Sequence, residues 1–252
     1  MDYPFFCRTM TASTLYQRLG TLKCDINGEG MQINANFNQR VLIHSDNEPW
    51  LASPMPGVER RMLDRFGDEV ARATTIVRYA PNSHFSKHSH TGGEEFIVLD
   101  GIFQDEHGDY PAGTYVRNPP TTSHSPRSDQ GCTIFVKLWQ FDMQDRNQFH
   151  LTMPKAAATT QGGIKTAVLH QDTRETVKYI EAEASAKLIL DANGGIEMLV
   201  LSGTITESGD TLSQGSWLRC PSEVTMTTIA GVNGAKVWVK SGHLPYAKAP
   251  QI

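Results

Sequence analysis

The stretch His88-Ser89-His90-Thr91-Gly92-Gly93-Glu94 decides how the rest of the chain is read. Side chains on a strand alternate with period 2, so histidines at i and i+2 share a face only where the backbone is extended. On a helix they would point to nearly opposite sides. The spacing therefore predicts a strand with both imidazoles aimed one way. Gly92-Gly93 can turn the chain and bring the Glu94 carboxylate to the same point. A fourth donor, His124, follows the turn-rich run Gly108 to Gly113 and Asn118-Pro119-Pro120. Imidazoles with one carboxylate form a borderline-soft donor set that suits Zn, Fe, Mn, Ni or Cu. A solvent-facing place around a turn explains any one of the four; a single divalent metal explains His88, His90, Glu94 and His124 together. Glu95 alternates with Glu94 and is expected to face outward, away from the metal. His44, His84 and His107 read as turn or surface residues.

Outward from this stretch the text is β. Val41 to His44 is a short apolar run, and 59–66 and 71–79 flank a hairpin turn at Gly67-Asp68. Segment 95–99 ends at a turn at Asp100-Gly101, with 102–105 beyond it. Segment 114–117 stops at Pro119-Pro120, and 133–141 closes the block. Short strands with regular turn signals predict an all-β sandwich or barrel. Residues 1–35 read as an N-terminal extension without clear period, apart from a weak helical stretch over 14–22. Residues 36–145 form the metal-binding domain, and 146–163, polar and rich in Ala and Thr, read as a linker.

After the linker the pattern returns. Gly194 to Gly203 echoes Gly92 to Gly101, and Gly215 to Pro221 echoes Gly113 to Pro119. Val177-Lys178-Tyr179 echoes Val77-Arg78-Tyr79, and Trp238-Val239-Lys240 echoes Phe135-Val136-Lys137. The offset stays between 100 and 103 residues, which predicts a duplicated barrel over 164–252. Its core should include Leu199, Leu201, Trp217, Val237 and Trp238. At an offset of 102, the four donors fall on Leu190, Ala192, Ile196 and Met226. The second copy has lost every ligand, which leaves it structural support, homodimerisation or an empty cup as roles.

The composition excludes several classes. A formal charge of −4 with no Lys/Arg block argues against nucleic acid and against a membrane surface. No apolar run reaches the ~20 residues of a membrane helix, and the N-terminus does not read as a signal peptide. The four cysteines, Cys7, Cys24, Cys132 and Cys220, are scattered and include no Cys-x-x-Cys. A soluble cytoplasmic protein is expected.

At the residues quoted, the chain resembles a family. His88-x-His90-x3-Glu94-x6-Gly101 is similar to the first cupin motif, and Gly108 to Gly113 with His124 to the second. Pro56 to Arg60, Val70 to Thr74 and Glu94-Glu95-Phe96 make it resemble the cupin-like domain of ChrR, the zinc-dependent anti-sigma factor of an ECF-type sigma factor. The resemblance, strong over about residues 40 to 140, implies a cupin barrel, and with the internal repeat two tandem cupin barrels, that is, double-stranded β-helices or jelly rolls. It implies a metal-binding regulator in an oxidative-stress-type transcriptional response, with a protein partner in a sigma/anti-sigma pathway. One departure stands against this. ChrR holds its sigma factor with an N-terminal zinc domain carrying a His and a Cys-x-x-Cys, and the first 40 residues here contain neither. The alternative, from small dioxygenases that share the domain type, is a mononuclear non-haem enzyme cleaving a C–C bond in a small diketone or hydroxyketone. One divalent ion is expected, Zn or Fe first and Mn or Ni also suited. Tyr115 and Arg117 are candidates to orient an anionic substrate, ordinary barrel packing being the plainer account of both. No catalytic residue is assigned.

Overall fold

A computed structural model describes residues 30–68, 70–223 and 225–250. Among these residues there are strands and two short 3-10 turns, Ser45–Asn47 and Met153–Lys155, and no α-helix. None has a helix long and apolar enough to cross a membrane. The short helix expected over 14–22 lies outside the described residues.

Two large antiparallel sheets of the same design make the fold. One runs Val58–Phe66, Arg72–Tyr79, Cys132–Leu138, Glu94–Asp105, Thr114–Asn118, Phe149–Thr152. The other runs Ile164–Gln171, Thr176–Ala182, Thr225–Ser241, Ile196–Glu207, Ser216–Cys220, Val41–His44. These are two tandem jelly-roll barrels. Their hydrophobic positions sort by strand alternation. Phe96, Val98, Val116, Ile134 and Val136 fill the first barrel, while their neighbours Ile97, Tyr115 and Phe135 face the other way. There they meet Leu199, Trp217 and Trp238 of the second barrel, Phe135 and Trp238 with ring centroids 5.3 Å apart. Burial on both faces explains why Phe96-Ile97-Val98 reads as a continuous apolar run rather than an alternation.

The stretch read as a linker is not one. Phe149–Thr152 is a strand in register with Thr114–Asn118 of the first barrel, and Ala158–Gln161 pairs with Ile164–Gln171. Val41–His44, at the start of the segment assigned to the first barrel, pairs instead with Ser216–Cys220 of the second. Each barrel is thus completed by the strand that precedes the other. The turn expected at Asp100-Gly101 is also corrected. Glu94–Asp105 is one strand that bulges there, with a register shift between Thr133 and Ile134. Gly101 holds φ +71, and a Cβ on it would lie 2.2 Å from the Gly131 carbonyl oxygen.

Of the core expected for the second barrel, Leu199, Trp217, Val237 and Trp238 are buried and Leu201 is half-buried. All but Val237 face the first barrel. Buried ion pairs cross the same interface reciprocally. Lys240 of the second barrel meets Glu95 of the first, and Lys137 of the first meets Glu197 of the second at 2.7 Å; within the second barrel Lys240 also reaches Glu175 at 2.9 Å. Glu95 does face away from Glu94, but into this interface rather than outward.

Candidate metal centre

The short strands His88–Ser89 and Ser123–His124 pair with His88 opposite His124, which brings two imidazoles to one edge of the first barrel. His90 follows one residue later on the same side, its ring centroid 4.5 Å from that of His124. The chain then turns through Gly92-Gly93 into Glu94. A Cβ on Gly92 would lie 2.1 Å from the Trp139 ring, and Gly93 takes φ +78 beneath Phe141. Only glycine fits this turn without displacement. One ligand atom from each of His88, His90, Glu94 and His124 lies within 4.8 Å of the other three.

Hydrogen bonds outside the quartet fix which nitrogen each ring presents. The Thr122 hydroxyl donates to Pro119 O at 2.7 Å, so its oxygen accepts from His90 Nδ1 at 2.9 Å. His124 Nδ1 donates to Asp105 Oδ2 at 3.2 Å. His88 Nδ1 lies 3.5 Å from the Ser86 carbonyl, which can only accept. The His90 and His124 rings therefore carry their proton on Nδ1 and turn the Nε2 lone pair inward, and the Ser86 carbonyl favours the same tautomer in His88. Glu94 Oε1 is 3.5 Å from His90 Nε2 and 3.6 Å from His124 Nε2. Both of those buried nitrogens lack a hydrogen-bond partner. Orphaned buried nitrogens are costly unless something else meets them. Converging lone pairs and a carboxylate fit a divalent cation, and hydrogen-bonded outer partners are what ligating histidines usually have.

Asp105 is itself well held, accepting from the His107 N–H at 2.7 Å and the Tyr110 hydroxyl at 3.2 Å. Burial lowers the His90 pKa. Burial pulls His124 the same way, but its hydrogen bond to Asp105 and the Glu94 charge outweigh it and raise the pKa. Beside His124 is a cavity of about 270 Å³ whose walls include Tyr110, Asn118, Gln148 and His150. His88 is exposed, so the quartet also reaches solvent.

The structure does not bring Tyr115 and Arg117 to this point. Both are buried in the inter-barrel interface, where Tyr115 donates to Glu95 and Arg117 pairs with Glu175 at 2.9 Å and with Asp145. They are interface residues, which corrects their reading as substrate-orienting groups. A second cluster, His170, Asp172 and Glu175, has no room for another cation, because Glu175 already pairs with Arg117 and Lys240. At the quartet's counterpart in the second barrel, Leu190, Ala192, Ile196 and Met226 are all buried in one apolar cluster. Leu190 pairs with Met226 as His88 pairs with His124. Residue reasoning missed Asp105, Thr122, Asn118 and His150. The one available signal was Asp105-x4-Tyr110 flanking a turn, which many hairpins share.

Residues 38–142 match the ChrR cupin-like domain family. No curated protein matches the chain by sequence. Among solved structures it is similar to a putative dioxygenase from Nostoc punctiforme at 14% identity and TM-score 0.67, covering 85% of this chain and 87% of that one. The Escherichia coli pirin YhhW in complex with nickel(II) is similar at 14% identity and TM-score 0.59, with 80% and 98% covered. A single-residue variant of the Bacillus subtilis oxalate decarboxylase follows at 11% and 0.58, with 86% and 80% covered. These likenesses establish the cupin fold.

Proposed function

We propose that this chain, whose first barrel is a ChrR-type cupin domain, is a mononuclear divalent-metal dioxygenase cleaving a C–C bond in a small diketone or hydroxyketone. The metal would be held by His88, His90, Glu94 and His124. The observation that carries this reading is the cavity against His124. A structural ion needs no adjoining space, whereas a metal that acts on a substrate does. When bound, an iron ion supplies the activation of dioxygen, and Mn or Ni would suit the same donors. The chain supplies the rest. Asp105 and Thr122 hold two imidazoles in one tautomer, Glu94 offsets positive charge, and the small cup restricts substrate size.

The family match favours a second reading. In it the quartet holds zinc, and a protein partner in a sigma/anti-sigma pathway responds when an oxidant reaches the exposed His88 side. Elemental analysis of protein purified without added metal, with oxygen uptake on 2,4-pentanedione, separates the two. Iron with uptake that is abolished in Glu94→Ala supports the enzyme. Zinc, with no uptake across a panel of metals and diketones, overturns it in favour of the sensor.

A further inference from the structure

The second barrel acts as an internal control for the first, because it keeps the fold and lacks the quartet. The difference between them extends beyond the four donors. At the offset of 102, Tyr110 corresponds to Leu212 and Asn118 to Cys220, and both counterparts are buried in the second barrel's apolar core. The strands Phe149–Thr152 and Val41–His44 also correspond. His150 stands opposite Val116 in the first barrel, as Leu42 stands opposite Leu218 in the second. Leu42 packs on the same apolar core. His150 instead forms part of the cavity wall with His124, and its ring meets that of Tyr110 edge-on at 5.1 Å.

Two buried core positions and one partly buried position of the second barrel are thus polar in the first, and all three line the cavity beside His124, Tyr110 and Asn118 buried and His150 at its exposed edge. Barrel stability does not ask for a polar Tyr110 or Asn118, since buried polar groups are costly unless they find partners. Both have partners: Tyr110 donates to Asp105, and the Asn118 side-chain oxygen accepts from Gln148 at 3.2 Å. His150 brings a donor and an acceptor to the same wall.

We propose that His150 contacts the substrate, its imidazole hydrogen-bonding an oxygen of the small molecule held at the quartet. The residue lies outside the segment 38–142 that matches the family. No Lys or Arg lines this cavity among the described residues. The wall therefore suits a carbonyl or hydroxyl oxygen better than a free carboxylate. This inference rests on the quartet being a metal site.

The test uses full-length protein loaded with Co(II), whose visible absorption reports its ligand shell, titrated with 2,4-pentanedione. His150→Leu installs the second barrel's residue type. It should keep one cobalt per chain and weaken pentanedione binding about tenfold, roughly 1.4 kcal/mol for a lost hydrogen bond. His150→Gln, which can still hydrogen-bond, should recover most of that loss. Unchanged affinity in His150→Leu overturns the inference. So does loss of cobalt from that variant, which would make the residue a prop for the metal site. Wild-type protein that holds cobalt but ignores pentanedione overturns it as well. Wild-type protein that takes up no cobalt sinks the metal reading itself, and is told apart by stoichiometry alone.

Discussion

Asp105 governs what His124 can do. Burial would raise the Asp105 pKa, but its hydrogen bond with His124 and the His107 N–H hold it below the usual range. The ionised carboxylate keeps the His124 proton on Nδ1 and leaves Nε2 free to ligate. Asp105→Asn keeps the shape and removes the charge. It should weaken metal binding about 10- to 100-fold, measured by titration against a competing chelator; unchanged affinity would contradict the role. The four donors themselves were legible in the sequence because few residue types serve a metal and their spacing demands one geometry. Asp105 and Thr122 were not. An Asp or Thr near a turn usually serves the backbone, and nothing local distinguishes one that braces a distant imidazole. Tyr115 and Arg117 misled for a related reason. They stand on a strand that does border the site, but alternation turns them to its other face, and their neighbours Val116 and Asn118 are the ones inside.

At the level of elements, the turn Gly92-Gly93 fixes the angle between His90 and Glu94. Gly93→Ala places a Cβ 2.4 Å from the Phe141 ring at a φ of +78. The left-handed backbone alone costs about 1–2 kcal/mol for a residue with a Cβ. We expect metal content to fall while the β signature in circular dichroism persists, since the second barrel shares none of these contacts. Full metal occupancy in this variant would show that the turn does not set the site. Individual strands were legible from apolar runs and turn residues. The two exchanged strands were not, because each pairs with a partner in a register that local sequence does not encode. Phe149–Thr152 also carries His150 and Thr152 among its four residues, so it reads as polar connection. The bulge at Gly101 looked like a turn because the signal, a glycine after an Asp, is the same for both.

Across the whole molecule, the barrels are held together by an apolar core crossed by paired charges. Lys240→Met would leave Glu95 buried without its ammonium, and breaking a buried pair in this way costs about 3–5 kcal/mol. Denaturant unfolding should show that loss, and Glu95→Gln in the same background should restore much of it. An unchanged midpoint would mean that the pair contributes nothing. Acid should act on the same interface. Burial alone would raise the Glu95 pKa, but Lys240 and Arg117 hold it down at about 2, and Lys137 and His243 likewise hold Glu197 well below the usual range. Both folded values lie below the unfolded ones, so their stabilisation is present above the ordinary carboxylate pKa and disappears as pH falls toward 2. The thermal midpoint should therefore decline below about pH 4.5. A midpoint that holds steady down to pH 2.5 would contradict this. The tandem arrangement was visible in the sequence because the turns recur at nearly constant spacing. The interface was not, since Glu95, Lys137, Glu197 and Lys240 look like surface charges until the second sheet covers them.

Every functional role proposed for this chain depends on a metal held by the quartet. Elemental analysis of the full-length protein, beside His90→Ala and His170→Ala, tests this most directly. One divalent ion per chain is expected in the wild type and in His170→Ala, and almost none in His90→Ala. No metal in the wild type, close to two ions per chain, or full occupancy in His90→Ala would contradict it.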